Sequence, residues 1–300
     1  ITPAHSFEDF ELAQKYKLPI VQIIDEDGNF TQAAGSFAGK NARASRDAIV
    51  AKLQAKGLVD RIDENYVHNL SVCYRCGTII EPLPSLQWFL KMDKLAKLAI
   101  KAVKNGEIKF HPANWEKIYL DWLKNIRDWN ISRQIWWGHK IPIEGETDVL
   151  DTWFSSALWP FAALGWPRAS LAPKGRATKS DLETFYPTQV LSTARDIINL
   201  WVARMVFSGL EFTKKIPFSD VIIHGTILTK DGKRMSKSLG TGIDPMVLIE
   251  KYGADATRFG LIWQAMGGQD IHWDENAVLA GKKFANKVWN VGKFVMNAID

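Results

Sequence analysis

Arg234, Ser236, Lys237 and Ser238 stand within five residues, inside the stretch TKDGKRMSKSLGTGIDP that begins at Thr229. Arginine and lysine supply positive charge, serine hydroxyls supply hydrogen bonds, and glycine lets backbone amides approach an anion. A loop so composed can wrap a polyphosphate. The same residue types also make an ordinary solvated basic loop, so the string needs its context.

A second group is Asp196, Ile197 and Trp201. If 194–210 is one helix, Ile197 and Trp201 share a face and Asp196 stands at the end where backbone amides are free. An aliphatic and an aromatic side chain beside a carboxylate could line a small apolar pocket with a polar rim. On pattern alone, core packing with Asp196 as a helix cap is the stronger reading. Cys73-x-x-Cys76-Gly77 has the spacing of half a zinc knuckle, but there is no second cysteine pair. No tightly bound metal is therefore expected, and the pair reads as two free thiols in a turn. His139, in WWGHK, reads as a structural histidine. There is no dinucleotide glycine fingerprint and no Walker A string, which argues against hydride transfer and P-loop chemistry.

The elements that must position these residues suggest an α/β chain. Phe7–Tyr16 reads as a helix, Ile20–Ile24 as a short strand, Asp27-Gly28 as a turn and 44–56 as a helix closed by Gly57. Residues 86–104 read as one amphipathic helix. Leu86, Phe89, Leu90, Leu95, Leu98 and Ala99 would face the core; Lys91, Lys94, Lys97, Lys101 and Lys104 would form a basic stripe, read as a solvated face ahead of an RNA contact. Trp115, Trp122, Trp129 and Trp136 fall seven apart, but the turn-like 128–132 interrupts them, so they read as packing anchors in separate elements. Residues 167–181 read as an exposed loop. A helix over 194–210, a strand over 221–224, helices at 245–252 and 255–264 and a helix from Asn276 complete a pattern that suggests a parallel α/β core.

Composition sets wide bounds. Of 300 residues, 46% are hydrophobic and 24% charged, as in ordinary folded chains. No apolar run approaches the roughly 20 residues that span a bilayer. A net charge of +5 is compatible with a nucleic-acid partner without requiring one. Two cysteines favour a reducing, cytoplasmic setting. The start, ITPAHSFEDF, has neither an initiator Met nor the pattern of a signal peptide, and reads as the beginning of a fragment.

In order along the chain stand IRDWNISRQIWWGHKIP (126–142), DVLDTWFSSALWPFAALGWP (148–167), FYP (185–187) and DIINLWVARM (196–205). They are followed by His224-Gly225, RMSKSLGTGIDP and YGADATRFGLI (252–262). Together these strings resemble the class I aminoacyl-tRNA synthetases over nearly the whole chain, and DTWFSSALWP resembles the valine-specific members. The resemblance implies an α/β fold: the C-terminal half of a Rossmann-like core, with part of an editing insertion and the start of a helical anticodon-binding domain. Residues 1–85 would be the partial editing insertion, 86–225 the return into the core and its second half, 226–275 the signature-loop region and 276–300 the start of the helical domain.

The implied activity is ATP-dependent ligation of valine to tRNA, with Mg2+ accompanying ATP and hydrolytic editing of threonyl-tRNA. The implied setting is a cytoplasmic, monomeric parent with no membrane association. Trp153, Ile197 and Trp201 match positions that shape the valine pocket. Asp196 matches an acidic position near the ribose, and His224 and Gly225 match the strand that approaches adenine. Lys237 and Arg234 match the loop cations that stabilise charge on the phosphates. Asp9 matches an editing aspartate that holds the substrate amino group. Departures are Arg234 in place of the first loop lysine, Ala194 in place of a glycine, Ser6 in place of a carboxylate and a segment shortened to 144–147. No HIGH-type tetrapeptide occurs, so the 300 residues alone are expected to be inactive in aminoacylation. The competing readings are a leucine or isoleucine enzyme of the same subclass and a non-catalytic RNA-binding fragment.

Overall fold

The computed structural model describes the chain apart from residues 68, 74–75, 168–179, 236–239, 266–268 and 300. It separates into two units, Ile1–Leu86 and Gln87–Asp300.

In the first unit, helix α1 (Phe7–Tyr16) starts where Ser6 Oγ accepts the Asp9 amide, and it ends on Lys17 in the left-handed region at φ 55°. His5 ties separate segments together. Its Nε2 accepts the Ile23 amide at 3.1 Å, which leaves Nδ1 to donate to the Pro82 carbonyl at 3.0 Å. Helix α2 spans Arg46–Ala55. The strand expected at Ile20–Ile24 does not form. A tight turn at Asp27-Gly28 leaves a single bridge from Ile24 to Phe30, and the Ile23 amide goes to the imidazole.

The second unit runs β1 (Phe89–Leu90), α3 (Asp93–Lys104), β2 (Lys109–His111), α4 (Asn114–Lys124), β3 (Trp129–Asn130) and β4 (Ser132–Arg133). Next come β5 (Val149–Leu150), α5 (Thr152–Ala162), α6 (Asp181–Phe185), β6 (Thr188–Ala194), α7 (Ala203–Thr213) and β7 (Phe218–His224). It ends with β8 (Ile227–Leu228), α8 (Pro245–Tyr252), α9 (Ala254–Gln264), β9 (Ile271–His272) and α10 (Glu275–Ile299).

The central sheet is parallel, in the order β2-β7-β6, and its β6–β7 register runs from Thr188 opposite Phe218 to Ala194 opposite His224. Parallel neighbours need a crossover, and α7 supplies it between β6 and β7. Side chains alternate along β7, so Val221 and Ile223 are buried while Ile222 and His224 are exposed. The buried face packs under α7 with Val206 and Phe207, beside Tyr119, Phe110 and Phe218. Each fully buried Phe of this cluster contributes about 1.5–3 kcal/mol. Helix α3 lays its small residues Ala96, Ala99 and Ala102 against the same cluster, and their helical spacing lets the two backbones come close. The opposite face of the sheet leaves Val190 and Ile222 exposed.

Several expectations change. The helix read over 86–104 begins only at Asp93. Phe89 and Leu90 pair instead with Asn130 and Trp129, Leu86 is fully exposed, and Phe89 and Leu98 also face solvent. The 86-89-90 spacing is helical, and pairing with β3 overrides it. The lysines from Lys91 to Lys104 are all exposed, and Lys97 pairs with Asp93 at 2.7 Å. Trp115 and Trp122 lie on α4 and Trp129 is buried on β3. Trp136 is 95% exposed and anchors nothing. The loop read over 167–181 falls mostly outside the described residues. Helix α8 opens with Asp244 Oδ1 accepting the Met246 amide at 2.9 Å and Pro245 as its first residue, the local reason for an Ile-Asp-Pro string.

Candidate active site

Ligands of parallel α/β sheets bind beyond the carboxyl ends of the strands. In the second unit those ends carry Ala194 on β6 and His224 on β7, which are register partners. Beyond Ala194 the chain makes a 3-10 turn (Arg195–Ile197) and a π-turn (Ile198–Val202) before α7 begins. The single helix expected over 194–210 is therefore a strand end, a tight 3-10 turn, a wide π-turn and a helix. β6 extends to Ala194 because its ladder with β7 holds it extended. Asp196 is thus a strand-end residue and caps no α-helix. π-turns are found preferentially at functional sites, where they re-aim side chains.

Asp196 Oδ2 accepts Arg234 Nη2 at 2.6 Å, across 38 positions of sequence. Local chemistry presents Arg234. At Asp231-Gly232 the chain folds back, with the Lys233 carbonyl accepting the Thr229 amide at 2.7 Å and Thr229 Oγ1 accepting the Lys233 amide at 3.0 Å. Both side chains of the pair are open to solvent, 71% for Arg234 and 42% for Asp196. Such a pair is worth about 0–1 kcal/mol, so it aims the arginine more than it stabilises the fold. The Asp196 backbone amide, and then Arg234, hold the Asp196 carboxyl below the ordinary carboxylate range against a partial desolvation.

A second pair lies beside the first. Asp270 Oδ2 accepts Arg195 Nη2 at 2.9 Å, and its Oδ1 accepts the Thr226 amide at 3.0 Å. The Thr226 amide first, then Arg195, keep Asp270 ionised below its usual range. Gly225 is the point of closest approach. A Cβ there would meet the Gln269 carbonyl carbon at 2.8 Å and its oxygen closer still. The His224 imidazole donates from Nδ1 to the Gly225 carbonyl at 3.0 Å, which leaves Nε2 as an acceptor on the open face of β7.

Trp201 is fixed by its Nε1 donating to the Ser156 carbonyl on α5 at 3.1 Å. Trp153 lies one turn earlier on α5, so the two indoles are brought to one helix turn, both half-buried against the core. Ile197, also half-buried, closes the 3-10 turn. Asp151 sets the start of α5. Its Oδ1 accepts the Trp153 amide at 3.2 Å, and its Oδ2 accepts Trp129 Nε1 and Arg133 Nη2, both at 2.9 Å.

Lys237, with Ser236 and Ser238, lies outside the described residues. Asp9 belongs to the first unit, where its Oδ2 accepts the Thr2 amide and hydroxyl, and its Oδ1 has no protein donor among the described residues. Cys73 and Cys76 form no disulfide. The Thr78 hydroxyl and amide bring the Cys76 thiol down to about 7. Among the described residues, no group of three or more His, Cys, Asp or Glu could hold a metal ion. Sequence reasoning missed Arg195 and Asp270. Only the fold brings them together, 75 positions apart, and no local pattern announces either.

The family of tRNA synthetases class I (I, L, M and V) matches residues 9–144 and 143–274. A valine--tRNA ligase of Clostridium tetani is 46% identical over 327 residues, covering 100% of this chain and 36% of that protein. A valine--tRNA ligase of Thermotoga maritima is 45% identical over 323 residues, covering 99% of this chain and 36% of that protein. The chain thus spans about a third of the length of these curated relatives. A solved methionyl-tRNA synthetase of Mycobacterium tuberculosis, bound by methionyl-adenylate, superposes with a TM-score of 0.55 at 16% identity, covering 91% of this chain and 53% of that one. That likeness is one of fold, and it gives the parallel sheet a known setting. A match over most of the length, on a shared architecture, settles the lineage: the chain belongs to the class I tRNA synthetases of the isoleucine, leucine, methionine and valine group.

Proposed function

We propose that this chain works as part of a valine–tRNA ligase, which activates valine with ATP and transfers it to tRNA. The observation that carries the proposal is the Arg234–Asp196 pair, which ties the basic loop to the strand end beside His224 and Gly225. In activation, a valine carboxylate oxygen attacks the α-phosphorus of ATP and the bond to pyrophosphate breaks, so negative charge builds on the departing phosphates. Arg234 and Lys237 would meet that charge by position and electrostatics. The exposed pair with Asp196 costs little to exchange for a phosphate contact, and it frees the carboxylate for a ribose hydroxyl. His224 Nε2 and the bare Gly225 backbone suit the edge of a flat base. Trp153, Ile197 and Trp201 would enclose the valine side chain. Mg2+ would arrive with the ATP phosphates.

Threonine is nearly isosteric with valine, and an apolar pocket rejects its hydroxyl weakly, a limit for which valine synthetases are themselves the standard illustration. Asp9, with one carboxylate oxygen open, would hold the amino group of threonyl-tRNA for hydrolysis. On this reading 1–85 is part of the editing insertion, 86–225 the second half of the core, 226–275 the signature-loop region and 276–300 the start of the anticodon-binding helices. The protein would be a cytoplasmic monomer acting away from membranes. Among the described residues, no helix is long and apolar enough to cross one.

The test is amino-acid-dependent ATP–pyrophosphate exchange with the full-length protein. Exchange with valine, and not with leucine or isoleucine, is expected. Exchange with leucine or isoleucine alone overturns the valine assignment, and none with any amino acid favours a non-catalytic RNA-binding role.

A further inference from the structure

A cavity of about 390 Å³ opens on the second unit between α4, β3 and α7. None of the residues placed at the strand ends lines it. Its floor is Trp129, Phe207 and Arg204, all buried, and its mouth carries the exposed Arg127 and Asp128. Arg133 completes the charged lining.

These charges are unequally engaged. Arg133 is satisfied: Nη2 donates to Asp151, and Nη1 donates to the carbonyls of Asn130 and Ser132 at 3.0 and 2.7 Å. Asp128 Oδ1 accepts the Met92 amide at 3.0 Å. Arg204 differs. Only 8% of it is exposed, its guanidinium stacks over the Trp129 ring at 4.1 Å, and Nη1 donates to the Leu200 carbonyl at 3.1 Å. Among the described residues no carboxylate lies within ion-pair distance of it, and its remaining N–H groups have no protein acceptor. Burial pushes the Arg204 guanidinium below its ordinary value, with Asp151 partly opposing. Among the described residues, the buried side-chain polar atoms without a partner are Tyr119 Oη and Asn199 Oδ1, so the unused Arg204 N–H groups are open to solvent.

A planar fork with unused donors, held flat by an indole at the floor of a polar cavity, is the arrangement that clamps an oxyanion in two hydrogen bonds. We propose that this cavity binds a phosphate group, with Arg204 as its clamp and Arg127 at its mouth. Dihydrogen phosphate and an RNA phosphodiester both present that chemistry.

The experiment uses the chain labelled with 15N-arginine, with the Nε–Hε resonance of Arg204 identified by its loss in Arg204→Gln. Inorganic phosphate and a short oligoribonucleotide are titrated separately at constant ionic strength, with chloride as the control. Phosphate is expected to shift the Arg204 resonance saturably, with a midpoint on the order of millimolar. Arg204→Lys keeps the charge but loses the fork and should weaken binding roughly tenfold. Arg127→Gln, at the exposed mouth, should weaken it severalfold with an unchanged melting temperature. An oligoribonucleotide that saturates the same resonance at much lower concentration identifies an RNA backbone as the source, and phosphate alone identifies the free anion. Shifts from both probes that grow without saturation, or saturable binding that neither Arg204→Lys nor Arg127→Gln weakens, overturn the proposal. Should Arg204→Gln fail to fold, Arg127→Gln still decides the matter by calorimetry with phosphate.

Discussion

Gly225→Ala should disturb far more than one methyl group would suggest. The new Cβ would sit 2.8 Å from the Gln269 carbonyl carbon and 3.4 Å from the Asp270 nitrogen. Carbon–carbon contacts are comfortable at about 3.5–4.0 Å, so the two backbones must part by roughly 1 Å. Neither is free to move. The Thr226 carbonyl accepts the Ile271 amide at 2.9 Å, the Thr226 amide donates to Asp270, and Ile227 pairs with Ile271 in the β8–β9 ladder. Overpacking against fixed backbone costs about 1–3 kcal/mol. For a unit of this size that is a fall in Tm of roughly 2–12 °C. The displacement also travels, because Asp270 holds Arg195 and Arg195 precedes Asp196. Valine-dependent pyrophosphate exchange in the full-length protein should therefore weaken together with stability, chiefly through KM for ATP. Calorimetry and exchange kinetics on the same preparation decide the question. An alanine variant that melts with the parent and binds ATP equally well would refute the close-approach argument.

Arg234→Ala should leave stability within about 0.5 kcal/mol, because the Asp196 pair is exposed, yet slow pyrophosphate exchange about tenfold or more; equal losses in both would mark Arg234 as structural. Lys237→Ala should cost on the order of 2–4 kcal/mol in kcat/KM for exchange, similar to one preorganised donor, and activity kept within about threefold counts against its role. Asp9→Ala should activate valine normally while full-length protein accumulates threonyl-tRNA, and unchanged deacylation of that ester would remove Asp9 from editing. Asp196 and Asp270 both sit below the ordinary carboxylate range when folded. Such groups contribute stability above their unfolded value, near pH 4, and lose it as pH falls through the folded value. Asp270→Asn should accordingly flatten the acid limb of a stability–pH profile, and superimposable limbs would contradict the linkage.

Local chemistry was legible from the residues. Ser6 opens α1 and Asp244-Pro245 opens α8, because a cap acts within three positions. The grouping of Arg234 with a polar loop was equally plain, since Asp231-Gly232 is a turn by itself. What escaped was decided at a distance. Phe89 and Leu90 are drawn out of a helical period by Asn130 and Trp129, some 40 positions away. Ala194 stays extended because β7 lies beside it, so the helix read there starts nine residues late. Asp270 has no motif around it, and it matters only because the fold delivers it to Arg195 and Thr226. Gly225 could be named from resemblance, but the reason it must lack a side chain resides in Gln269.

The π-turn at Ile198–Val202 acts on the segment as a slack turn that takes up one residue. An α-helix advances about 100° per residue, and a π-turn accommodates one residue beyond that rhythm. Downstream, the rhythm is locked by Val206 and Phe207, which cannot rotate out of the core. Upstream it is set by the end of β6. Removing one residue from 198–202 would restore an unbroken helical cadence while leaving the core half in place. Asp196 and Ile197 would then keep nearly their present phase toward Arg234 and the α5 indoles, because the π-turn had already absorbed the extra residue. A residue removed from the α-helical turns after Val202 has no such slack, and would carry Asp196 and Ile197 about 100° out of step.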